Sequence, residues 1–413
     1  MPVSSEDLQS FSADLKEVLN CELNKPIFNF EITTTQACNC KCSYCFEPDV
    51  PFVHRPRLNP TISGTAVEGI KKLLDDPWFT STFKGINLTF WGGEPTINPQ
   101  GMWPFVAAFA GRSNVHWHIY TNGTRPDVLE ELVTRLEVQR ALKRLSVQIS
   151  YDGKPVHDKH RLMRTGEPTS EQALTTARML ASRGVNVGFK ATITPPDFKH
   201  MPEIWESYRE LCLEFNVHRD ADRRIQWCPT IDQAKDYGED FTEDFKAACA
   251  AIMVKEKRFY EKNDYFVLQW VGSSPNTCPH GYSMTCMDTS GFLYTCHGVM
   301  YFLEGNMEHN DEEITHITSP DFIEALHKKH QADDEDHQKG VEALSETCQN
   351  CVATHCAVCN ACSAAISTKS TPTLRWYDRT AQPYLCKYYK IFGAYDRALM
   401  AEFTGMGSLK VGG

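Results

Sequence analysis

No export signal is expected at the opening MPVSSEDLQS, which has neither a basic start nor an apolar core. Nor does the chain contain an uninterrupted apolar run long enough to span a membrane. Positive charge is in deficit, with 42 Lys and Arg against 53 Asp and Glu and a formal net charge of -11. That balance argues against a long nucleic acid as partner. Together these absences lead us to expect a cytoplasmic protein with no membrane association. Its 413 residues leave room for one large domain with a smaller companion.

Cysteine, by contrast, is abundant: there are 17. A disulfide framework belongs to exported chains, usually small ones, and the odd count fits it poorly. Most of the cysteines fall in three groups, at 38–45, 278–296 and 348–362 with Cys386 beyond, whereas Cys21, Cys212, Cys228 and Cys249 are scattered and read as small hydrophobes. Metal thiolates are the stronger reading of the groups.

The periodicity predicts strands at PIFNFEITT, GINLTFW, VHWHIYTN, RLSVQISYDG, NVGFKATI and RRIQWCPT. Between them lie helical patterns in SGTAVEGIKKLLDD, RPDVLEELVTRL, TSEQALTTARMLASRG and MPEIWESYRELCLEF. Six strands alternating with helical patterns imply an α/β fold of parallel strands covered by helices, as an open sheet or a barrel. Polar and glycine-rich stretches recur just after the strands, at the edge where such folds place their sites. We expect a lead-in over 1–27, the strand-helix repeats over 28–235, a linker helix region over 236–265 and a cysteine-rich domain over 266–413.

Cys38, Cys42 and Cys45 form C-x3-C-x2-C. Three thiolates from one loop can hold three irons of a 4Fe–4S cluster and leave the fourth open to a small molecule. Zinc would need a fourth ligand, for which Cys40, inside the same tight turn, is a weak candidate. Tyr44 and Phe46 flank the last cysteine, Gly92-Gly93-Glu94-Pro95 follows the second strand, Asn122 the third, and Ser150 and Asp152 the fourth. In this order and at these strand ends, the motifs resemble the radical S-adenosylmethionine superfamily, over roughly residues 28–230. The resemblance implies a partial (β/α)6 barrel of the TIM type. It also implies one 4Fe–4S cluster whose open iron chelates S-adenosylmethionine. The Gly92–Pro95 segment would meet the methionine amino group; a glycine pair permits close approach, and Glu94 could attract an ammonium. Ser150 and Asp152 would serve the carboxylate and ribose, with Asn122, Tyr44 and Phe46 also at the cofactor. The implied chemistry is reductive cleavage to methionine and a 5'-deoxyadenosyl radical, which takes hydrogen from an unactivated carbon.

Downstream, Cys278-x12-Gly291-x4-Cys296 resembles the opening of the SPASM extension. The run that follows reads C-x2-C-x4-C-x2-C-x2-C where that family has C-x2-C-x5-C-x3-C. By count the nine cysteines could equally serve zinc. The resemblance implies instead two auxiliary 4Fe–4S clusters, one on Cys278, Cys286, Cys296 and either Cys359 or Cys362, the other on Cys348, Cys351, Cys356 and Cys386.

Relatives of this layout act on peptides, and include anaerobic sulfatase maturases and peptide-modifying maturases that crosslink, epimerise or oxidise residues. The expected substrate is therefore a peptide or protein residue, with electrons from a flavodoxin or ferredoxin under low-oxygen or reducing conditions. In sulfatase maturases an aspartate follows the equivalent of Cys296; here the residue is His297, which weakens that assignment. Fewer than thirty residues precede the first strand, so no leader-binding module is expected there, and a small molecule or modified nucleotide remains a rival substrate. A non-catalytic iron–sulfur or zinc protein is the rival class, and it would need neither GGEP nor SYDG. His297, Lys190 and Arg161 are the candidate catalytic residues. His157, His160, Asp232, Lys235 and Tyr237 face the barrel mouth only by position, and Arg161 could pair with a carboxylate or equally form a surface salt bridge.

Overall fold

The computed structural model describes residues 25–45, 57–154, 156–216, 224–231, 237–269, 283–295, 297, 313–331 and 383–404. Six strands form its parallel body: β1 (Ile27–Thr35), β3 (Gly85–Gly92), β4 (Val115–Thr121), β5 (Leu145–Ser150), β7 (Asn186–Ile193) and β8 (Pro229–Ile231). They lie side by side in chain order, as repeated strand-helix crossovers require. On the free edge of β1 the sheet continues with β9 (Met284–Met287), parallel to β1, and then β10 (Phe292–Tyr294) and β11 (Glu313–His316), both antiparallel. The result is the expected α/β fold with a mostly parallel sheet. A separate two-stranded ribbon joins β2 (Cys40–Cys42) to β6 (Arg161–Met163).

Alternation decides what each strand face sees. In β1, Phe28, Phe30 and Ile32 are buried in the main hydrophobic core, while Asn29, Glu31 and Thr33 occupy the other face. Strand β4 alternates likewise, with Val115, Trp117 and Ile119 buried and His116, His118 and Tyr120 half-buried. The helices meet the apolar face. Pro60–Leu74 starts at Asn59, whose side chain accepts from Ile62 N at 2.9 Å, and it buries Ala66, Val67, Ile70, Leu73 and Leu74. The other face, polar along its length, becomes the lumen.

The sixth strand is shorter than expected and shifted. RRIQWCPT supplies only its last two residues to β8; Trp227 N donates to Val267 O at 2.6 Å and Gln269 N to Trp227 O at 2.9 Å. The backbone before β8 is thus diverted to the segment at 267–269. Glu256, in the helix Thr242–Asn263, anchors that segment: it accepts from Leu268 N at 2.7 Å, Val267 N at 3.0 Å and Trp205 Nε1 at 2.7 Å. Burial pushes its carboxyl up to about 7, above the ~4.3 of an exposed glutamate. The stability this contributes is complete below about pH 4.3 and lost as pH rises through about 7, a change on the order of 3 kcal/mol. Thermal unfolding across that window should show a decline that Glu256→Gln removes.

Candidate active site

The cysteine loop follows the end of β1. Cys40 and Cys42 pair with Met163 and Arg161 in the ribbon, and Cys45 N closes a turn on Cys42 O at 3.1 Å. Cys38 and Cys42 are half-buried and Cys45 is exposed, whereas Cys40 is buried. The Cys40 sulfur lies 3.9 Å from Met163 Sδ and accepts from Asn122 Nδ2 at 3.2 Å. The four cysteines thus divide into three that are open and one packed away.

The second strand end is bound to this loop by its backbone. Gly93 N donates to Thr35 O at 2.8 Å and Glu94 N to Ala37 O at 2.9 Å. Gly92 has φ +132°, and a Cβ there would lie 2.0 Å from Thr35 O; one on Gly93 would lie 2.5 Å from Ala37 O. The close approach that the glycine pair permits is therefore to the chain's own cysteine loop. Glu94 is bonded within the chain as well. Its carboxylate is buried and accepts from Thr96 N and Oγ1, Thr121 Oγ1 at 2.8 Å and Asn122 N at 2.6 Å. Burial raises its pKa against these bonds. It fastens the end of β4 to that of β3.

Asn122 carries the linkage back to the loop. Its Nδ2 donates to Asn39 Oδ1 at 2.8 Å and to Cys40, with Cys38 Sγ at 3.9 Å, while its Oδ1 accepts from Thr124 N at 3.0 Å.

Asp152 is the centre of a buried network. One oxygen accepts from Tyr44 OH and from Arg161 Nε at 2.9 Å, and the other from Thr192 N at 2.8 Å. Arg161 in turn directs Nη1 at Cys42 Sγ, 3.9 Å away, and lies over the Tyr44 ring. Asp152 is thus bonded within the protein, and Arg161 pairs with it because the ribbon carries its side chain inward. His157 and His160 join the same network. His157 Nδ1 accepts from Asp152 N at 3.2 Å, which places its proton on Nε2, 3.0 Å from Thr169 Oγ1. Burial holds its pKa down at about 4. His160 bridges Ser43 Oγ and Asp197 Oδ2. Burial works to raise the Asp197 pKa, but its bonds to His160, Lys159 and Thr194 hold it well below the usual range.

The lumen supplies residues that motif reading missed. Strand register aligns Cys286, Glu31, Thr89, His118 and Ser146 as one polar layer. His118 Nδ1 lies 2.6 Å from Ser146 Oγ, and burial lowers its pKa to about 4. Above this layer stand Thr33, Trp91, Tyr120 and Gln148. His297 enters here, with Nδ1 2.6 Å from Glu31 Oε2 and its ring stacked on Trp91 at 4.2 Å. Higher still, Ser150 pairs in register with Lys190, whose Nζ lies 3.5 Å from Cys228 Sγ. The signal for Glu31, His118 and Tyr120 was present: polar residues at every second strand position imply a wet inner face. At the opposite end, a cavity of about 290 Å³ is lined by Asn29, Asn87, His116, Lys143 and Asn186 among others.

The loop's donor set fits an iron–sulfur cluster. Burial pushes the Cys42 thiol up to about 12, with Cys38 and Cys45 adding to the rise. A hydrogen bond to Cys40 and burial raise Cys38 well above its ordinary value. Such thiols become thiolates when a metal supplies compensating charge. Among the described residues no three His, Cys, Asp or Glu side chains converge on one ion; a cluster instead takes one thiolate at each of three irons. Cys286 lies on the lumen face beside Thr33 Oγ1, at 3.7 Å. Phe46, Asp232, Lys235, Cys278, Cys296, Cys348, Cys351, Cys356, Cys359 and Cys362 lie outside the described residues, and Cys386 falls in the helix Pro383–Thr404.

Residues 32–211 match the family model of the Radical SAM superfamily. A cysteine-type anaerobic sulfatase-maturating enzyme of Clostridium novyi (strain NT) is 24% identical over 205 residues, covering 48% of this chain and 50% of that protein. The match thus spans about half the length of the curated relative. Among solved structures, native anSMEcpe with bound AdoMet superposes at a TM-score of 0.64 with 16% identity, covering 91% of this chain and 99% of that one. SuiB of Streptococcus suis, bound to its precursor peptide SuiA, superposes at 0.50 with 12% identity, covering 90% and 80%. These likenesses establish a shared fold.

Proposed function

We propose that this chain, whose residues 32–211 match the family model of the Radical SAM superfamily, is a radical S-adenosylmethionine enzyme acting on a residue of a peptide or protein. One observation carries the reading. The ends of β3, β4 and β5 all reach the single loop that bears Cys38, Cys42 and Cys45, through Gly93 and Glu94, Asn122, and Asp152 with Tyr44. A loop that merely stored iron or zinc would not need three strand ends assembled around it.

In this reading Cys38, Cys42 and Cys45 would hold an iron–sulfur cluster with a place left for S-adenosylmethionine. When bound, the pair would supply one-electron radical chemistry able to take hydrogen from an unactivated carbon of the substrate. The chain's own residues position the partners. Ser150, half-buried, stands beside Lys190 at the sheet's C-terminal edge. Lys190 would receive a carboxylate of cofactor or peptide. His297, held by Glu31 and Trp91, would contact the substrate over the lumen. Peptide substrates are favoured because anSMEcpe has been seen with a bound Kp18Cys peptide and SuiB with its precursor peptide. His297 in place of the maturase aspartate points away from formylglycine formation. The cysteines from Cys278 to Cys386 would hold two auxiliary clusters, fed by a flavodoxin or ferredoxin in a reducing cytoplasm. Among the described residues no helix is long and apolar enough to cross a membrane.

Anaerobic reconstitution should give about twelve irons per chain, four for each cluster, and reduction with S-adenosylmethionine should release 5'-deoxyadenosine. Iron near zero with tightly held zinc would sink the proposal. Deuterium passing from a labelled peptide into 5'-deoxyadenosine would identify the hydrogen donor, and its absence across peptide libraries would favour a small molecule.

A further inference from the structure

We propose that Arg161 is a positioning residue that sets the reduction potential of the cluster on Cys38, Cys42 and Cys45, with Asp152 as its counter-charge. The inference rests on the cluster assignment above. It begins from the ribbon: the Arg161 backbone pairs with Cys42, and its carbonyl accepts from Thr169 Oγ1 at 2.6 Å. The side chain therefore starts beside a ligand and has little freedom to leave. Its guanidinium, 11% exposed, donates from Nε to the fully buried Asp152 at 2.9 Å and lies 5.2 Å over the Tyr44 ring. That leaves Nη1 directed at the Cys42 sulfur, 3.9 Å away.

Reduction adds one negative charge to the cluster. A fixed cation and an N–H donor at a ligand sulfur favour the reduced form, and buried charges escape most screening by salt. Asp152, within hydrogen-bond reach of the same guanidinium, opposes this field with equal charge. The two residues should therefore act with opposite signs, a result that a purely structural role would not give. The guanidinium fork is also matched to two partners at once, which a lysine ammonium is not.

The test uses the reconstituted full chain, with iron counted first and the cluster identified by the change in its EPR signal when S-adenosylmethionine is added. A wild type that binds no iron overturns the cluster assignment itself and with it this proposal. With the cluster loaded, an EPR-monitored redox titration without S-adenosylmethionine should place Arg161→Gln at least tenfold lower in its reduction equilibrium, about 59 mV more negative. Arg161→Lys should fall between it and wild type, and Asp152→Asn should shift upward. Unchanged potentials at full iron loading, or a downward shift in Asp152→Asn, overturn the proposal. If Arg161→Gln loses its iron, Arg161→Lys and Asp152→Asn decide on the same criteria.

Discussion

Single replacement of Cys38, Cys42 or Cys45 by alanine is expected to remove about four of some twelve irons per chain and to reduce 5'-deoxyadenosine release to background. Cys40→Ser should leave both nearly intact. The contrast follows from where the loop sends each sulfur. Cys40 is 3% exposed, set against Met163 and hydrogen-bonded by Asn122; a serine oxygen can still accept that bond. The other three remain open, and Cys38 and Cys42 receive donors, Cys40 N at 3.4 Å and Arg161 Nη1 at 3.9 Å. Hydrogen bonds to ligand sulfurs are what cluster sites supply. Iron analysis and product quantification on the four variants settle the division. Loss of iron from Cys40→Ser, or retention in Cys42→Ala, would overturn it.

Much of this arrangement could be read in the sequence because it is local. A strand-helix repeat is set by periods of two and 3.6 residues, and a motif at a strand's end inherits its place from the strand. Partners are not local. Nothing in HDKHR shows that residues 161–163 will pair with 40–42, and that pairing turns Arg161 from a surface cation into a buried one. A carboxylate after a strand suggests a group offered to a ligand, but its local sequence does not show that Glu94 and Asp152 also accept from Asn122 N and Thr192 N, backbone donors that crowded strand ends leave in need of acceptors.

The lumen layer presents a different case. The alternation in VHWHIYT was visible, and it served to place a strand. That His118 meets Ser146 and that Glu31 meets His297 depends on register across neighbouring strands and on a residue 266 positions away. The lengths of strands and loops fix that register, and no single segment encodes it.

Gly93→Ala should cost about 2–4 kcal/mol and impair iron binding in the first loop beyond what that loss of stability explains. The added Cβ would meet Ala37 O at 2.5 Å, Ala37 C at 2.7 Å and Gln36 O at 2.7 Å. All three are backbone atoms immediately before Cys38, so no side-chain rotation relieves the contact. Relief requires the loop to move, which breaks the bonds from Gly93 N to Thr35 O and from Glu94 N to Ala37 O. Gly64 is the internal control. It lies exposed in the helix Pro60–Leu74 with nothing within 4 Å of its added Cβ, so Gly64→Ala should stabilise by about 1 kcal/mol through helix propensity. Chemical denaturation measures both changes, and Gly64→Ala returns about 1 kcal/mol of the lost stability without touching the loop. If the double variant gains iron in step with that recovered stability, the defect lies in global stability. If its iron content does not move with stability, the glycine is needed for the close approach that holds the cysteine loop against the end of β3.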